Sequence, residues 1–193
     1  MPDPREQFAP LYQAHYENIL RYAARRVGPE GAHDVAAETF LVAWRRRDRV
    51  PKATGEALPW LYGVARQVVA NEQRGRRRQE RLQERLRHVG RREVITQDHL
   101  PHLAENSQIL QAMRRLSPRD QEALRLIGWE ELEIQDAALV VGCSARTFSV
   151  RLHRARRRLA AALHAIDDTD ETHETHETRR ARADKSVALE GSN

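Results

Sequence analysis

A single cysteine, Cys143, stands among 193 residues, so neither an internal disulfide nor a cysteine zinc site can hold this chain together. Cys143 reads most simply as a small apolar residue in a turn. Aromatic residues make up only 5% of the chain, and no apolar run approaches the roughly 18 residues needed to cross a bilayer. The first residues, Met-Pro-Asp-Pro-Arg-Glu-Gln, lack the apolar core of a secretory signal. These absences together predict a cytoplasmic protein with no membrane insertion. A glycine-rich phosphate loop, a Ser-His-Asp order and a metal-ligand cluster are all missing, so the chain is expected to be no enzyme and to carry no cofactor and no metal. Lysine is also scarce. Lys52 and Lys185 are the only two, and nearly all of the 33 basic residues are therefore arginine.

What is present is positive charge laid over helical periodicity. The formal charge of +5 understates the body of the chain, because residues 167–193 hold eight acids against four bases, leaving +9 for residues 1–166. A balance of that sign favours a polyanionic partner. The charge peaks in residues 144–159, which contain six arginines and no acid. Beneath them Phe148, Leu152, Ala155 and Leu159 recur in steps of four, three and four, which buries one face of a helix. Arg146, Ser149, Val150, His153, Arg154 and Arg157 are left to point away. Upstream, Leu110, Met113 and Leu116 mark a short helix, and Ser117-Pro118-Arg119-Asp120 forms a start signal for the next. That second helix is expected to turn Ala123, Leu124 and Ile127 inward and to stop near Gly128–Trp129. A third is predicted from Ile134 to Val141, with Gly142-Cys143 as the turn and Ser144 as the cap of the arginine-rich helix. This order reads as a helix-turn-helix whose last helix enters DNA.

The N-terminal half is helical as well. Phe8, Leu11, Tyr12, His15, Ile19, Tyr22, Ala23 and Val27 trace one face of a helix that Gly28-Pro29 ends. A second is expected over about Ala32 to Arg47, burying some of Val35, Ala36, Phe40, Ala43 and Trp44. A third starts at Pro59, with Trp60, Leu61, Val64, Ala65, Val68 and Val69 inward, after a loop that contains Pro51 and Gly55. Nine arginines then fall between Arg74 and Arg92. With Trp60 and Tyr62 at its start, this is an aromatic-plus-basic surface suited to unpaired bases and phosphates. Trp60 fits a core position equally well; Tyr62 fits the surface better.

Three stretches in this order resemble the extracytoplasmic-function (ECF) sigma factors of bacteria: Asp34–Trp44, Pro59–Asn71 with the arginine run behind it, and Gly142–Arg156. The resemblance spans about Phe8 to Leu163. It implies an all-α protein of two small helical domains joined by a flexible linker, the C-terminal one a helix-turn-helix. Residues 1–81 would form domain two, 82–105 the linker and 106–166 domain four, followed by a tail, 167–193, whose composition predicts disorder. The implied partners are core RNA polymerase, through the clamp and flap of its large subunits, and promoter DNA, double-stranded upstream and single-stranded downstream. An anti-sigma factor is a further implied partner.

By the same resemblance Asp34 and Glu38 would face the polymerase clamp, although dipole complementarity and solubility also account for two acids there. The loop 45–58 would hold flipped bases of the minus-ten element. Trp60, Tyr62, Arg66, Asn71, Arg74, Arg76, Arg77 and Arg78 would line the strand. Gln67 stands where the family usually has asparagine. In the minus-35 reader, Ser149, Val150, His153 and Arg154 would meet base edges, while Arg146, Thr147, Arg157 and Arg158 hold phosphates. Arg146 replaces a frequent family glycine. His173 and His176 in the tail are spaced to share a metal, but two unanchored imidazoles do not make a site. The rival function is a stand-alone helix-turn-helix regulator that binds operators without polymerase.

Overall fold

The computed structural model of the chain describes residues 4–53, 55–86 and 108–166. Among the described residues all regular structure is helical: α1 (Pro4–Val27), α2 (Pro29–Arg45), a short 3-10 turn (Arg47–Arg49), α3 (Ala57–Leu86), α4 (Gln108–Arg114), α5 (Pro118–Gly128), α6 (Ile134–Val141) and α7, residues 145–166. Contacts group the chain into two units, residues 1–103 with 125–150 and residues 104–124 with 151–193.

The joint between α1 and α2 rests on Gly28, whose φ of 82° suits a residue without Cβ. Its amide closes the last turn of α1 on the Ala24 carbonyl at 3.0 Å. Pro29 then opens α2 three residues ahead of the expected Ala32, because proline at a first helical position gives up no needed amide hydrogen. The same helix ends at Arg45, ahead of the expected Arg47, where the chain tightens into the 3-10 turn. Helix α3 begins at Ala57, ahead of Pro59, and continues through the arginine run to Leu86. An i,i+4 pair, Arg76 Nε to Glu72 Oε1 at 3.0 Å, lies on that stretch.

The core of the first unit is built from Ile19, Tyr22 and Ala23 of α1, Val35, Ala36, Phe40 and Ala43 of α2, and Leu61, Val64, Ala65 and Val69 of α3, all buried. Its outer end is aromatic. Phe8 meets Trp44 edge-on at 5.3 Å between ring centroids and Phe40 at 6.4 Å, and Tyr12 lies 4.8 Å from Phe40. Helix α6 belongs to this unit and packs on α3, where Gly63 leaves room for the backbone of Val140.

The second unit buries Leu110, Ala112, Met113, Leu116, Ala123, Leu152, Ala155 and Ile166. Ser117 accepts a hydrogen bond from the Asp120 amide at 3.2 Å and donates to Asp120 Oδ2 at 2.9 Å, which caps α5 as the start signal predicted. The buried side of α5 differs from the expectation, however. Asp120, Ala123 and Leu126 are buried, whereas Leu124 and Ile127 stay partly exposed. Asp120 is drawn inward by Ser117 and by Arg158 of α7 at 2.6 Å, and this rotates the helix onto its 120, 123, 126 face. After α6, Gly142 takes a left-handed conformation (φ 71°, ψ 44°), and the amides of Gly142 and Cys143 return to the carbonyls of Leu139 and Ala138. Ser144 then caps α7 by accepting from the Thr147 amide at 3.2 Å. Of the expected linker, residues 82–86 form the end of α3, while residues 87–105 and the tail from 167, with His173 and His176, lie outside the described residues.

Leu61 is completely buried at the centre of the first unit. Leu61→Ala should cost about 2–5 kcal/mol of stability through lost burial and an unfilled cavity. Urea unfolding followed by circular dichroism checks this; a midpoint within error of wild type would show that the α1–α3 core does not close on Leu61.

Candidate nucleic-acid and polymerase interfaces

Helix α2 divides cleanly into two faces. Val35, Ala36, Thr39, Phe40 and Ala43 are buried, and Thr39 returns its hydroxyl hydrogen to the Val35 carbonyl at 2.7 Å. Asp34 and Glu38, four residues apart, both lie on the exposed face. Leu41 continues that face and is 41% exposed, an apolar residue beside two acids. Sequence reasoning passed over Leu41, although its spacing of three from Glu38 and seven from Asp34 was the available signal.

The loop after α2, the first turns of α3 and residues 139–142 line an open cavity of about 780 Å³. Its lining includes Arg46, Arg49, Glu56, Trp60 and Arg66. Trp60 is half-buried there and lines the cavity. Arg46 and Arg49 were not among the anticipated strand residues. They line the cavity from the two ends of the 3-10 turn that follows α2.

Tyr62 requires a correction. It is 2% exposed, and its ring lies 5.1 Å from that of Tyr22, so it is a core residue and not a stacking surface for bases. Two positions beyond Trp60 on a helix, it points about 200° away from its neighbour, toward α1. Arg66, Asn71, Arg74, Arg76, Arg77 and Arg78 are exposed along α3. Within this row Arg74 donates to Asn71 and Arg76 to Glu72.

On α7 the faces fall as the spacing predicts except at Leu159, which is only half-buried. Phe148, Leu152 and Ala155 are buried, while Arg146, Thr147, Ser149, Val150, His153, Arg154 and Arg157 are exposed. Val150, at 46% exposure, is a large apolar side chain presented to solvent in the middle of this basic surface. Arg158 differs from the others because its guanidinium is bound to the buried Asp120.

The least anticipated feature is Glu130, in the acidic stretch after α5. Its side chain is fully buried, with Oε1 accepting from Arg26 Nη1 at 2.9 Å and Oε2 from Arg25 Nη2 at 2.6 Å. Arg26 also donates to the Tyr22 carbonyl at 3.0 Å, and its guanidinium lies 3.4 Å from the centroid of the Tyr22 ring. Trp129 sits beside both Arg25 and Arg125 at cation–π distance. Glu131, next in sequence, has a positive φ of 53° and turns the chain so that Glu130 faces inward while Glu131 and Glu133 stay exposed. Nothing in the local pattern distinguishes Glu130 from its acidic neighbours.

The sigma-70 region 2 model matches residues 11–79, and the sigma-70 region 4 model matches residues 106–159. The ECF RNA polymerase sigma factor SigC of Mycobacterium tuberculosis is 30% identical over 162 residues, covering 77% of this chain and 79% of SigC. The chain belongs to the ECF sigma factors. BldN of Streptomyces coelicolor is 30% identical over 160 residues, 82% of this sigma factor but 61% of BldN, and SigL of M. tuberculosis is 29% identical over 170 residues, with 82% and 90% covered. Among solved structures, the sigma factor RpoE of Bartonella quintana, in complex with the anti-sigma factor NepR, is similar in fold (TM-score 0.59, 23% identity, 82% of this chain and 97% of that one). CnrH in complex with the cytosolic domain of CnrY is similar too (TM-score 0.56, 22% identity, 83% and 90% covered). The protein is thus a transcription initiation factor that directs RNA polymerase to promoters. A stand-alone operator-binding regulator would leave the region 2 match without a role. No described helix is long and apolar enough to cross a membrane.

The buried Tyr62 hydroxyl is pushed above the ordinary tyrosine range, first by burial and then by the Glu130 carboxylate, against the opposing effects of an Asn18 hydrogen bond, Arg25 and Arg21. Because the folded state holds this proton more tightly, the corresponding stability is complete below about pH 10, the unfolded value, and is lost as pH rises through the folded value. Stability should therefore fall above about pH 10 less steeply in Tyr62→Phe than in wild type. Urea unfolding at a series of alkaline pH values measures it, and parallel curves would show that Tyr62 does not control this loss.

Proposed function

We propose that this sigma factor uses three separate surfaces, one for each step of promoter recruitment. The acidic face of α2, with Asp34 and Glu38, docks on the clamp of the largest polymerase subunit, and region 4 reaches the flap. The cavity behind loop 45–58 and the basic length of α3 hold the single-stranded minus-ten element. Arginine side chains supply the positive rail, and Trp60 offers a partly open ring for stacking, which is worth roughly 1–3 kcal/mol per base. Helix α7 enters the major groove at the minus-35 element, where Ser149, Val150, His153 and Arg154 meet base edges while Arg146, Thr147 and Arg157 grip phosphates. Arg158 serves this surface indirectly, by fixing α7 on the capped start of α5.

The observation that carries this reading is that each surface is the exposed face of a helix whose opposite face is core, within the stretch matched to the corresponding sigma region. The functional boundaries we assign are 1–81, 82–105, 106–166 and 167–193. Bringing two boxes into register through a 24-residue connector (82–105) calls for a scaffold, and polymerase supplies one. An anti-sigma factor is the expected restraint, in keeping with the complexes in which RpoE and CnrH were solved.

Reversing the acidic face with Asp34→Arg and Glu38→Arg should abolish capture of core polymerase and leave helicity unchanged, since repulsion at a charged interface commonly costs several kcal/mol. Pull-down with core polymerase beside circular dichroism tests this. Undiminished capture would place the clamp contact elsewhere.

The arginines of α7 should separate into three classes. Arg154→Ala should lose roughly 1–3 kcal/mol and relax preference at one upstream base pair. Arg157→Ala should weaken every promoter alike and lower the salt slope by about one. Arg158→Ala should leave the slope intact and cost at most about 1 kcal/mol of stability, because its guanidinium is largely in water. Holoenzyme binding to singly substituted upstream boxes at several salt concentrations separates the three. The same base preference relaxed in two of them would overturn the assignment of faces.

A further inference from the structure

Helix α7 and the residues that follow it carry opposite charge and meet without a spacer. Residues 151–166 contain five arginines and no acid. Residues 167–178 contain six acids, Asp167, Asp168, Asp170, Glu171, Glu174 and Glu177, and neither lysine nor arginine. Arg158 already holds Asp120, whereas Arg154 and Arg157 are exposed and, among the described residues, have no acidic partner. The position of the acids is not explained by α7 itself. A helix C-terminus is the negative end of the macrodipole, where basic side chains are favoured and carboxylates are not. Two aspartates directly after Ile166 oppose that preference.

Geometry permits these acids to return along the helix. At a rise of about 1.5 Å per residue, Arg157 lies about 14 Å and Arg154 about 18 Å back from Ile166 along the axis. Extended chain covers about 3.3 Å per residue, so Glu171 can reach about 17 Å from Ile166 and Glu174 about 26 Å. Between Arg157 and Ile166 the same side of α7 exposes Ala160, Ala161 and His164, so no acid repels a returning chain. A segment tethered at this distance has an effective concentration on the order of millimolar, which populates ion pairs too weak to form between separate molecules.

We propose that residues 167–178 lie back along the exposed face of α7 and pair with Arg154 and Arg157, so that the chain carries its own substitute for duplex phosphates. The inference rests on the DNA-reading role given to α7 above. Ion pairs in water are weak and screened by salt, so the acidic segment sets a threshold and does not block the helix. Duplex bound through phosphates alone must displace it. A promoter adds base contacts that carboxylates cannot imitate, so the segment lowers affinity for everything that offers only phosphate and thereby raises discrimination.

Two measurements on the full chain test it, each comparing the natural acids with an amide tail: Asp167→Asn, Asp168→Asn, Asp170→Asn, Glu171→Gln, Glu174→Gln and Glu177→Gln. In the first, a nitroxide on Thr175→Cys, with Cys143→Ser so that no other thiol is present, reports proximity through broadening of the amide NMR signals of residues 151–158. Broadening should be at least about twofold greater with the acids than with the amides, and the difference should vanish at about 0.5 M salt. Equal broadening in the two tails, or broadening confined to α3, would overturn the proposal. In the second, fluorescence anisotropy follows binding to a labelled duplex of random sequence. The amide tail should bind at least about tenfold more tightly at about 0.05 M salt, with the gap closing at about 0.5 M. Adding Arg154→Ala and Arg157→Ala to both tails should shrink that gain below about threefold, because the acids then have no partner to mask. An absent gain, or one undiminished by the alanines, would overturn the proposal, the latter by showing that net charge alone acts. Duplex affinity indifferent to the two alanines in the amide-tail protein would instead count against the DNA-reading role of α7, and the nitroxide comparison would then decide the contact by itself.

Discussion

A carboxylate removed from water survives only where donors reach both of its oxygens. Glu130 meets that condition through Arg25 and Arg26, and much of the first unit is arranged around the requirement. Arg26 must enter the interior to do so, and it is in turn accommodated by the Tyr22 carbonyl and by the face of the Tyr22 ring. Tyr22 then lies against Tyr62. The chain of contacts runs from the turn after α5, through the end of α1, to the start of α3. Removing one member strands a buried charge, which typically costs about 3–5 kcal/mol, whereas the intact set contributes far less than that to net stability. The triad therefore specifies an arrangement more than it stabilises one.

Arginine does two kinds of work in this protein, and the two are separated by partner. Arg25, Arg26 and Arg158 are joined to the acids Glu130 and Asp120, both of which are buried. Each of these contacts positions a helix. Arg66, Arg77, Arg78, Arg146, Arg154 and Arg157 instead hold exposed side chains on faces opposite the core. A chain with 33 basic residues carries a large favourable potential for phosphate, but register along DNA depends on which of those charges are fixed in place and which can reach outward. Asp120 illustrates the coupling. By capping α5 with Ser117 while binding Arg158, it ties the start of one helix to the far half of α7.

Local chemistry made most of the helical framework legible. Gly28-Pro29, Ser117-Pro118 and Gly142-Cys143-Ser144 each ended or started a helix where turn and cap preferences require, and the span of α6 from Ile134 to Val141 agrees residue for residue. Boundaries slipped where a proline could sit one turn earlier than the first obvious apolar residue, as at Pro29. The outward face of α7 followed from steps of four, three and four alone. The inward face of α5 did not, because a buried Asp120 counts as polar in any hydrophobic pattern and only its partner on α7 turns it inward.

The sequence by itself determined the helices, their caps, the basic outward surface of α7 and the family resemblance, since all of these depend on residues within a turn or two of one another. Only the tertiary structure decided what Glu130, Tyr62 and Arg158 do. Their partners lie 105, 40 and 38 positions away in the chain, at Arg25, Tyr22 and Asp120. No periodicity encodes contacts at that separation. An acid in an acidic stretch, a tyrosine beside a tryptophan and an arginine among arginines look alike until the fold removes one of them from water and gives it a partner.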